Sequence, residues 1–228
     1  MILSILILGA SSISAQEDIY KIEGFGGYSY MNLNRGVDPD EFANTYTDFP
    51  GNRVNAHGFN GALTYNFNRY LGAKFDLTVH STSEDWATNL VVTPVDSPNL
   101  GTTTPATIRI RQRVYQYMGG IQIKDNKKEG SMFRPFVHVL GGWAAQNLQV
   151  DQTSPGNFQL AEYKANDFAM KLGGGADLKV HKNFSIRMIQ FDYNPIFRGD
   201  IDYGNGPLTG DSIIQHNYLL SFGGAFHF

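Results

Sequence analysis

The chain has 228 residues, of which 42% are hydrophobic, 17% charged and 13% aromatic, and its formal net charge is −3. This hydrophobic content is enough for a core and argues against disorder, and the lack of a basic excess argues against a nucleic-acid partner. Cysteine is absent, so disulfide scaffolds and thiolate metal sites are excluded. The 25 glycines and the aromatic share together favour strands and turns over helices.

The first fifteen residues read as a short apolar run followed by small residues, MILSILILGASSISA. The run is too short to span a bilayer, and the small residues before Gln16 resemble a signal-peptidase site. We therefore predict a signal peptide over residues 1–15 and one domain over residues 16–228; because the basic n-region is missing, the signal is either truncated or weak. A buried N-terminal strand is the alternative. No later segment is an apolar run long enough for a transmembrane helix.

Eight segments alternate between apolar and polar residues with a period of two, which predicts strands whose two faces meet different environments. In chain order they span residues 20–30, 59–67, 71–79, 115–123, 137–143, 168–180, 186–193 and 218–228. Two conflicts of phase occur. Ile108, Ile110 and Val114 are out of phase with Tyr115, which predicts a bulge or a phase change near Val114, and a similar conflict lies around Met188.

Short and long links alternate between these strands. The short links are residues 68–70, 125–132 and 181–183, and the long polar links are residues 32–56, 81–107, 147–166 and 195–213. Consecutive antiparallel hairpins place every long link at the same end. This arrangement is typical of transmembrane β-barrels.

The apolar faces contain no acid or base, and they carry aromatic residues near the strand ends. Those predicted to form the two membrane girdles are Tyr20, Tyr30, Phe67, Trp143, Phe168, Tyr193 and Phe228. A soluble β-sandwich would instead place charges outside and apolar residues inside. We therefore predict an all-β fold: an eight-stranded antiparallel up-and-down transmembrane β-barrel, closed by pairing of the first and last strands.

The opposite faces of the strands carry charges of both signs, which can pair inside a narrow lumen. We predict a polar network in the lumen, formed by Glu23, Lys74, Asp76, His138, Lys171, Asp177, Arg187 and Asp192. Three glycines at 173–175 are not followed by a helix, so they are not a phosphate loop, and we expect them to make room for crowded interior side chains.

The chain ends on an alternating strand whose last residue is aromatic. Its apolar residues Tyr218, Leu220, Phe222, Phe226 and Phe228 resemble the C-terminal signal read by the barrel-assembly machinery of bacterial outer membranes. With the segments 24–30, 134–138 and 187–193, the chain resembles the small OmpA/OmpX-type outer-membrane barrels.

That resemblance implies export through the periplasm and an integral position in the bacterial outer membrane. It also implies contact with outer-membrane lipid and lipopolysaccharide, a monomer, and an extracellular ligand that the loop sequences do not identify.

Few residues suggest chemistry. His80 and Ser81 are a weak candidate for hydrolysis, since neighbours on a strand point to opposite faces. The six histidines stand singly, without metal-ligand spacing. We therefore predict no catalytic, cofactor-binding or metal-binding residue. Arg109, Arg111 and Arg113 form a basic stripe, either a solvated strand extension or a contact for lipopolysaccharide phosphate.

Three functions are compatible with these features. The first is a non-enzymatic barrel whose surface loops act in envelope integrity, adhesion or ligand binding, and it is the one we favour. The second is a narrow channel for small solutes. The third is an outer-membrane enzyme that modifies lipid.

Overall fold

A computed structural model describes residues 18–34, 52–92, 102–154, 156–199, 201–202, 209–210 and 213–228. The predicted signal peptide, residues 1–15, lies outside the described residues. Ten strands are formed within these ranges: β1 (Ile22–Asn34), β2 (Arg53–Asn66), β3 (Leu71–Val92), β4 (Thr102–Lys124), β5 (Phe133–Ser154), β6 (Phe158–His181), β7 (Phe184–Arg198), β8 (Ile201–Asp202), β9 (Thr209–Gly210) and β10 (Ile213–His227). Within the same ranges, no helix is long and apolar enough to cross a membrane.

Eight of these strands close into an antiparallel barrel in the order β1-β10-β7-β6-β5-β4-β3-β2, while β8 and β9 form a separate small pair. The first and last strands pair from Glu23 opposite His227 to Asn32 opposite Tyr218. The predicted eight-stranded barrel and its closure are therefore confirmed.

The wall of the barrel follows the predicted period of two. Two neighbouring leucines of β10 illustrate it: Leu219 is 1% exposed and points into the lumen, whereas Leu220 is 41% exposed on the outer face. The outer face is a belt of apolar and aromatic side chains on all eight strands. Such a belt is what a lipid bilayer requires of a barrel.

One predicted girdle residue lies elsewhere. Tyr20 is only 3% exposed, because the segment before β1 folds across the end of the barrel that carries the short turns. Its backbone N–H donates to the carbonyl of Asn126 at 3.0 Å, and its hydroxyl contacts the carbonyl of Lys182. Tyr20 therefore helps to cover the short-turn end and does not face lipid.

At the end of the barrel opposite the short turns, which we call the long-loop end, the connections between strands differ from the prediction. The short turns are confirmed, but residues 147–154 and 158–166 are strand and not loop, since β5 and β6 pair up to Gln152 opposite Phe158. Residues 81–107 are likewise mostly strand, because β3 and β4 stay paired up to Val92 opposite Thr102. The apolar alternation stops where the lipid-facing belt stops, although the strands continue.

The continued parts of β3, β4, β5 and β6 form a four-stranded sheet beyond the belt. We call this sheet the extension, and it comprises residues 81–92, 102–113, 147–154 and 158–166. It follows directly from the barrel wall without a break in the pairing of β3 with β4.

The two conflicts of phase have different origins. Of the two alternatives predicted near Val114, the structure shows the phase change and not the bulge: β4 pairs with β3 and with β5 there without a shift. Ile108, Ile110 and Val114 are buried and point inward, so the interior itself becomes apolar at this level. The conflict around Met188 is a true bulge, since Ala176 pairs with Ile189 but Asp177 with Arg187.

Candidate functional site

Four strands bring two acids and two bases together near the short-turn end of the lumen. Lys124 Nζ donates to Glu23 Oε2 at 2.5 Å and also contacts Asp177. Arg187 donates to Asp177 Oδ1 at 2.8 Å and to Glu23 Oε1 at 2.8 Å. All four side chains are at most 2% exposed. We call this group the lower charge cluster, and its charges balance, as burial demands.

Aromatic rings flank the guanidinium of this cluster. The Arg187 Cζ lies 4.2 Å from the ring centroid of Phe25 and 4.2 Å from that of Phe136. Both rings are buried inside the barrel. Cation–π contacts in a buried site add to the ion pairs, so Arg187 is held from several sides.

A second group, the upper charge cluster, lies next to the first. Lys171 Nζ donates to Asp76 Oδ1 at 2.6 Å, and Lys74 Nζ lies 3.8 Å from Asp76 Oδ2. His138 connects Lys74, at 3.2 Å from Nδ1, with Asp192 Oδ1, at 2.9 Å from Nε2. Two lysines and two aspartates again balance.

All eight residues predicted for the lumen network are thus buried in the lumen: Glu23, Asp177 and Arg187 lie in the lower charge cluster, and the other five lie in the upper one. Sequence reasoning missed Lys124, Arg134 and His227, which are buried in the same region. Lys124 could have been found, because it lies two residues after Gln122, at the end of the fourth predicted strand, and so points to the same face.

Beyond the charge clusters, towards the long-loop end, buried apolar side chains lie in the lumen beside hydrogen-bonded polar ones such as Gln116 and Asn194. The buried members of this layer come from seven of the eight barrel strands, and they are Met31, Leu33, Val54, Ala56, Val114, Met118, Leu140, Ala144, Ala169, Ile196 and Leu219. We call it the apolar layer. Its members alternate along their strands in phase with the other lumen-facing residues. A sequence rule that assigns every apolar residue to the lipid face therefore does not identify them.

One group of buried residues has the order of a hydrolytic triad. Ser185 Oγ lies 2.8 Å from His227 Nε2, and His227 Nδ1 lies 3.5 Å from Glu23 Oε2. Ser185 is fully buried, and Glu23 already binds Lys124 and Arg187. A nucleophile must reach a substrate, so this geometry serves hydrogen bonding in the lumen.

The predicted pair His80 and Ser81 is not brought together. β3 runs straight through both residues, so His80 points into the lumen, where its Nε2 lies 2.9 Å from Ser29 Oγ. Ser81 is exposed on the opposite face.

The basic stripe lies on the outer face of the extension and is largely neutralised. Arg109 donates two hydrogen bonds to Asp85, at 2.6 and 2.9 Å, and Arg111 pairs with Asp151. The hydrogen bond from Arg109 lowers the pKa of the Asp85 carboxyl. Arg113 has no acidic partner among the described residues.

An antiparallel barrel with an apolar outer belt and ion pairs inside is the architecture of an integral membrane β-barrel protein. The chain matches the family described as outer membrane protein beta-barrel domain over residues 2–226. It therefore belongs to that family, and it is an integral protein of the bacterial outer membrane.

Solved structures of small outer-membrane barrels are similar to this chain. Neisserial surface protein A has 10% identity and a TM-score of 0.53, with 91% of this chain and 97% of that chain covered. The attachment invasion locus protein Ail of Yersinia pestis has 14% identity and a TM-score of 0.47, with coverage of 91% and 97%. OprG of Pseudomonas aeruginosa has 10% identity and a TM-score of 0.43, with coverage of 93% and 97%. No curated protein matches the chain.

Proposed function

We propose that this protein is a non-enzymatic barrel that binds an extracellular partner through its extension, with the long-loop end facing outside. The observation that carries the proposal is that β3 to β6 continue as a paired sheet beyond the lipid-facing belt, although the bilayer needs no further strand length there. A rigid sheet raised above the membrane is suited to binding a partner.

The edges of the extension support this proposal. Among the described residues, β3 pairs with β2 only up to Ser81, so residues 82–92 have a neighbour on one side alone. In the same way, β6 pairs with β7 only from Phe168 onward. Unpaired strand edges are the surfaces to which an extended segment of another protein can add.

The filled lumen argues against a channel. The two charge clusters and the apolar layer occupy successive levels of an eight-stranded barrel, whose interior is only wide enough for side chains. Burial of Ser185 and the separation of His80 from Ser81 argue against lipid-modifying activity.

The β3–β4 half of the extension, which carries the β3 edge, can be removed without touching the belt. Glu84 lies opposite Ile110 in the β3–β4 pair, so replacing residues 85–109 by Asn-Gly closes the hairpin at that level. We expect cells that display this variant to lose adhesion to immobilised fibronectin, laminin or mucin, whichever the unmodified protein binds. The control replaces residues 93–101 alone and keeps the paired strands.

Folding is checked by resistance of the unheated barrel to SDS. Equal adhesion by the shortened variant and the unmodified protein would contradict the proposal. If the unmodified protein gives no adhesion to any of the three surfaces, and cells that lack it are more sensitive to detergent, a role in envelope integrity would instead be supported.

A further inference from the structure

A cationic and aromatic group lies on the outer wall on the side of the barrel away from the extension. We call it the Arg53 cluster, and it consists of Asn32, Arg53, Asn55, Tyr193, His216 and Tyr218. These residues belong to β1, β2, β7 and β10, which are consecutive neighbours in the barrel.

Arg53 is held in place by its neighbours. Its Nη1 donates to Asn32 Oδ1 at 2.6 Å, and its Cζ lies 5.4 Å from the ring centroid of Tyr218. Asn32 in turn donates to Asn55 Oδ1 at 3.3 Å. A guanidinium positioned in this way loses less conformational entropy on binding an anion than a free one does.

Aromatic rings extend the cluster across the next two strands. The ring centroids of Tyr218 and Tyr193 are 5.7 Å apart, and Tyr193 stacks on His216 at 5.9 Å. The Tyr193 hydroxyl also contacts His216 Nδ1. The cluster therefore offers a flat surface with hydrogen-bonding groups at its edge.

The charge of Arg53 is not balanced locally. Arg109 and Arg111 have carboxylate partners on the extension. In contrast, the outward faces of β1, β2, β7 and β10 carry no acidic residue within the described part of the chain, and Arg53 has no ion-pair partner there. The charge of Arg53 is therefore available to pair with an anion.

The level of the cluster identifies the anion. Tyr218 continues the outward row of Leu220 and Phe222, which are 41% and 55% exposed on the apolar belt. Arg53 thus lies where the belt ends, at the depth of lipid headgroups, and acyl chains can cover the row beneath it.

We infer that the Arg53 cluster binds the phosphate of a phosphorylated glycolipid in the outer leaflet. Two N–H groups of Arg53 point to the phosphate oxygens, and the tyrosine rings lie against the sugar. The choice of glycolipid depends on the orientation proposed above, whereas recognition of lipid phosphate depends only on the cluster itself.

The test uses the full chain, folded in neutral detergent micelles and titrated with bisphosphorylated lipid A. Native mass spectrometry measures the bound lipid, with lipid A lacking both phosphates as the comparison ligand. We expect the protein to retain one molecule of the phosphorylated lipid A in preference to the lipid A that lacks both phosphates. Arg53→Gln should weaken retention about tenfold, because one charge-assisted pair is lost, and Arg53→Lys should weaken it less, because the charge remains.

Arg109→Gln is the matched control, since it removes an outward arginine that lies outside the cluster and whose charge is already balanced by Asp85. An equal loss from Arg109→Gln, or equal retention of the phosphate-free lipid, would overturn the inference. Displacement of the lipid by an equal concentration of inorganic phosphate would overturn it in favour of a free-anion site. If Arg53→Gln does not fold, the comparison rests on Arg53→Lys against Arg109→Lys.

The shortened variant that lacks residues 85–109 separates this inference from the proposed function. Its Arg53 cluster is unchanged, because none of the six residues lies in the extension. We expect it to bind phosphorylated lipid A as tightly as the unmodified chain. Lost adhesion with retained lipid binding would show two independent surfaces.

Discussion

The carboxylate of Asp192 occupies the space that a side chain at Gly173 would need. The two residues are directly opposite each other in the β6–β7 pair, and a Cβ at Gly173 would collide with Asp192 Oδ1 and with the Phe191 carbonyl. A Cβ at Gly175 would lie 2.9 Å from Phe136 Cζ. These glycines therefore make room for the crowded lumen, as their run in the sequence predicts.

Gly173→Ala should therefore destabilise the barrel. Neither the backbone carbonyl of Phe191 nor the buried Asp192 can move away freely, and overpacking of this kind costs about 1–3 kcal/mol. Gly119→Ala is the matched control, because a Cβ there meets nothing within 4 Å. Urea unfolding in lipid vesicles measures both, and equal stabilities of the two variants would refute the crowding.

The sequence predicts those parts of the fold in which one physical cause determines the pattern. Lipid on one side and packed polar groups on the other give period two, so the number of strands, the closure and the short turns follow from it. The bulge at Met188 also follows, because the phase of Arg187 conflicts with that of Asp192.

The extension and the apolar layer could not be predicted in the same way. Residues 81–92 and 102–113 leave the lipid, so their alternation fades although they stay paired. In the apolar layer, Val114 and Leu140 face the lumen, and hydrophobicity alone does not distinguish a packed lumen from lipid. Partners across the lumen, such as Lys124 and Glu23, are set by closure of the barrel and not by spacing along the chain.

Leu172→Arg should cost about 2–4 kcal/mol, because it places a charge in the middle of the lipid-facing belt. Leu172 is 39% exposed on the outer face. Asn166→Arg lies on the same face of β6 beyond Phe168 and should cost little. Unfolding titrations in vesicles compare the two, and a cost for Asn166→Arg as large as that for Leu172→Arg would mean that the belt is placed wrongly.

Arg187 and Asp177 should behave as a coupled pair. Arg187→Gln leaves Asp177 and Glu23 short of a buried cation, which should destabilise the barrel by about 3–5 kcal/mol. Adding Asp177→Asn should recover part of this loss, so the double variant is more stable than the sum of the two single changes implies. A double-mutant cycle measured by urea unfolding tests this, and strict additivity would contradict the contact.

Conductance should require the opening of two barriers. We expect the unmodified protein to show no steady current in planar bilayers, because the charge clusters and the apolar layer both fill the lumen. Neutralising Lys124 and Asp177 together should leave the current low, since the apolar layer remains. Adding Met118→Gly and Leu140→Gly should raise it, and a porin-sized current from the unmodified chain would favour the channel.

The pair of Arg69 and Asp125 should make stability depend on pH at the short-turn end. Arg69 donates two hydrogen bonds to Asp125, at 3.0 and 2.8 Å, and this bonding lowers the pKa of the Asp125 carboxyl. The stabilisation is therefore present above the carboxyl's ordinary pKa and is lost as the pH falls through the lowered value. Because both side chains are about one-third exposed, the pair contributes roughly 0.5 kcal/mol. Asp125→Asn should thus be less stable than the unmodified protein at pH 7 and equally stable well below pH 4.

Glu129→Gln is the control, because Glu129 is exposed and has no ion pair among the described residues. It should be as stable as the unmodified protein at both pH values. A gap for Asp125→Asn that persists unchanged to the lowest pH would exclude this linkage.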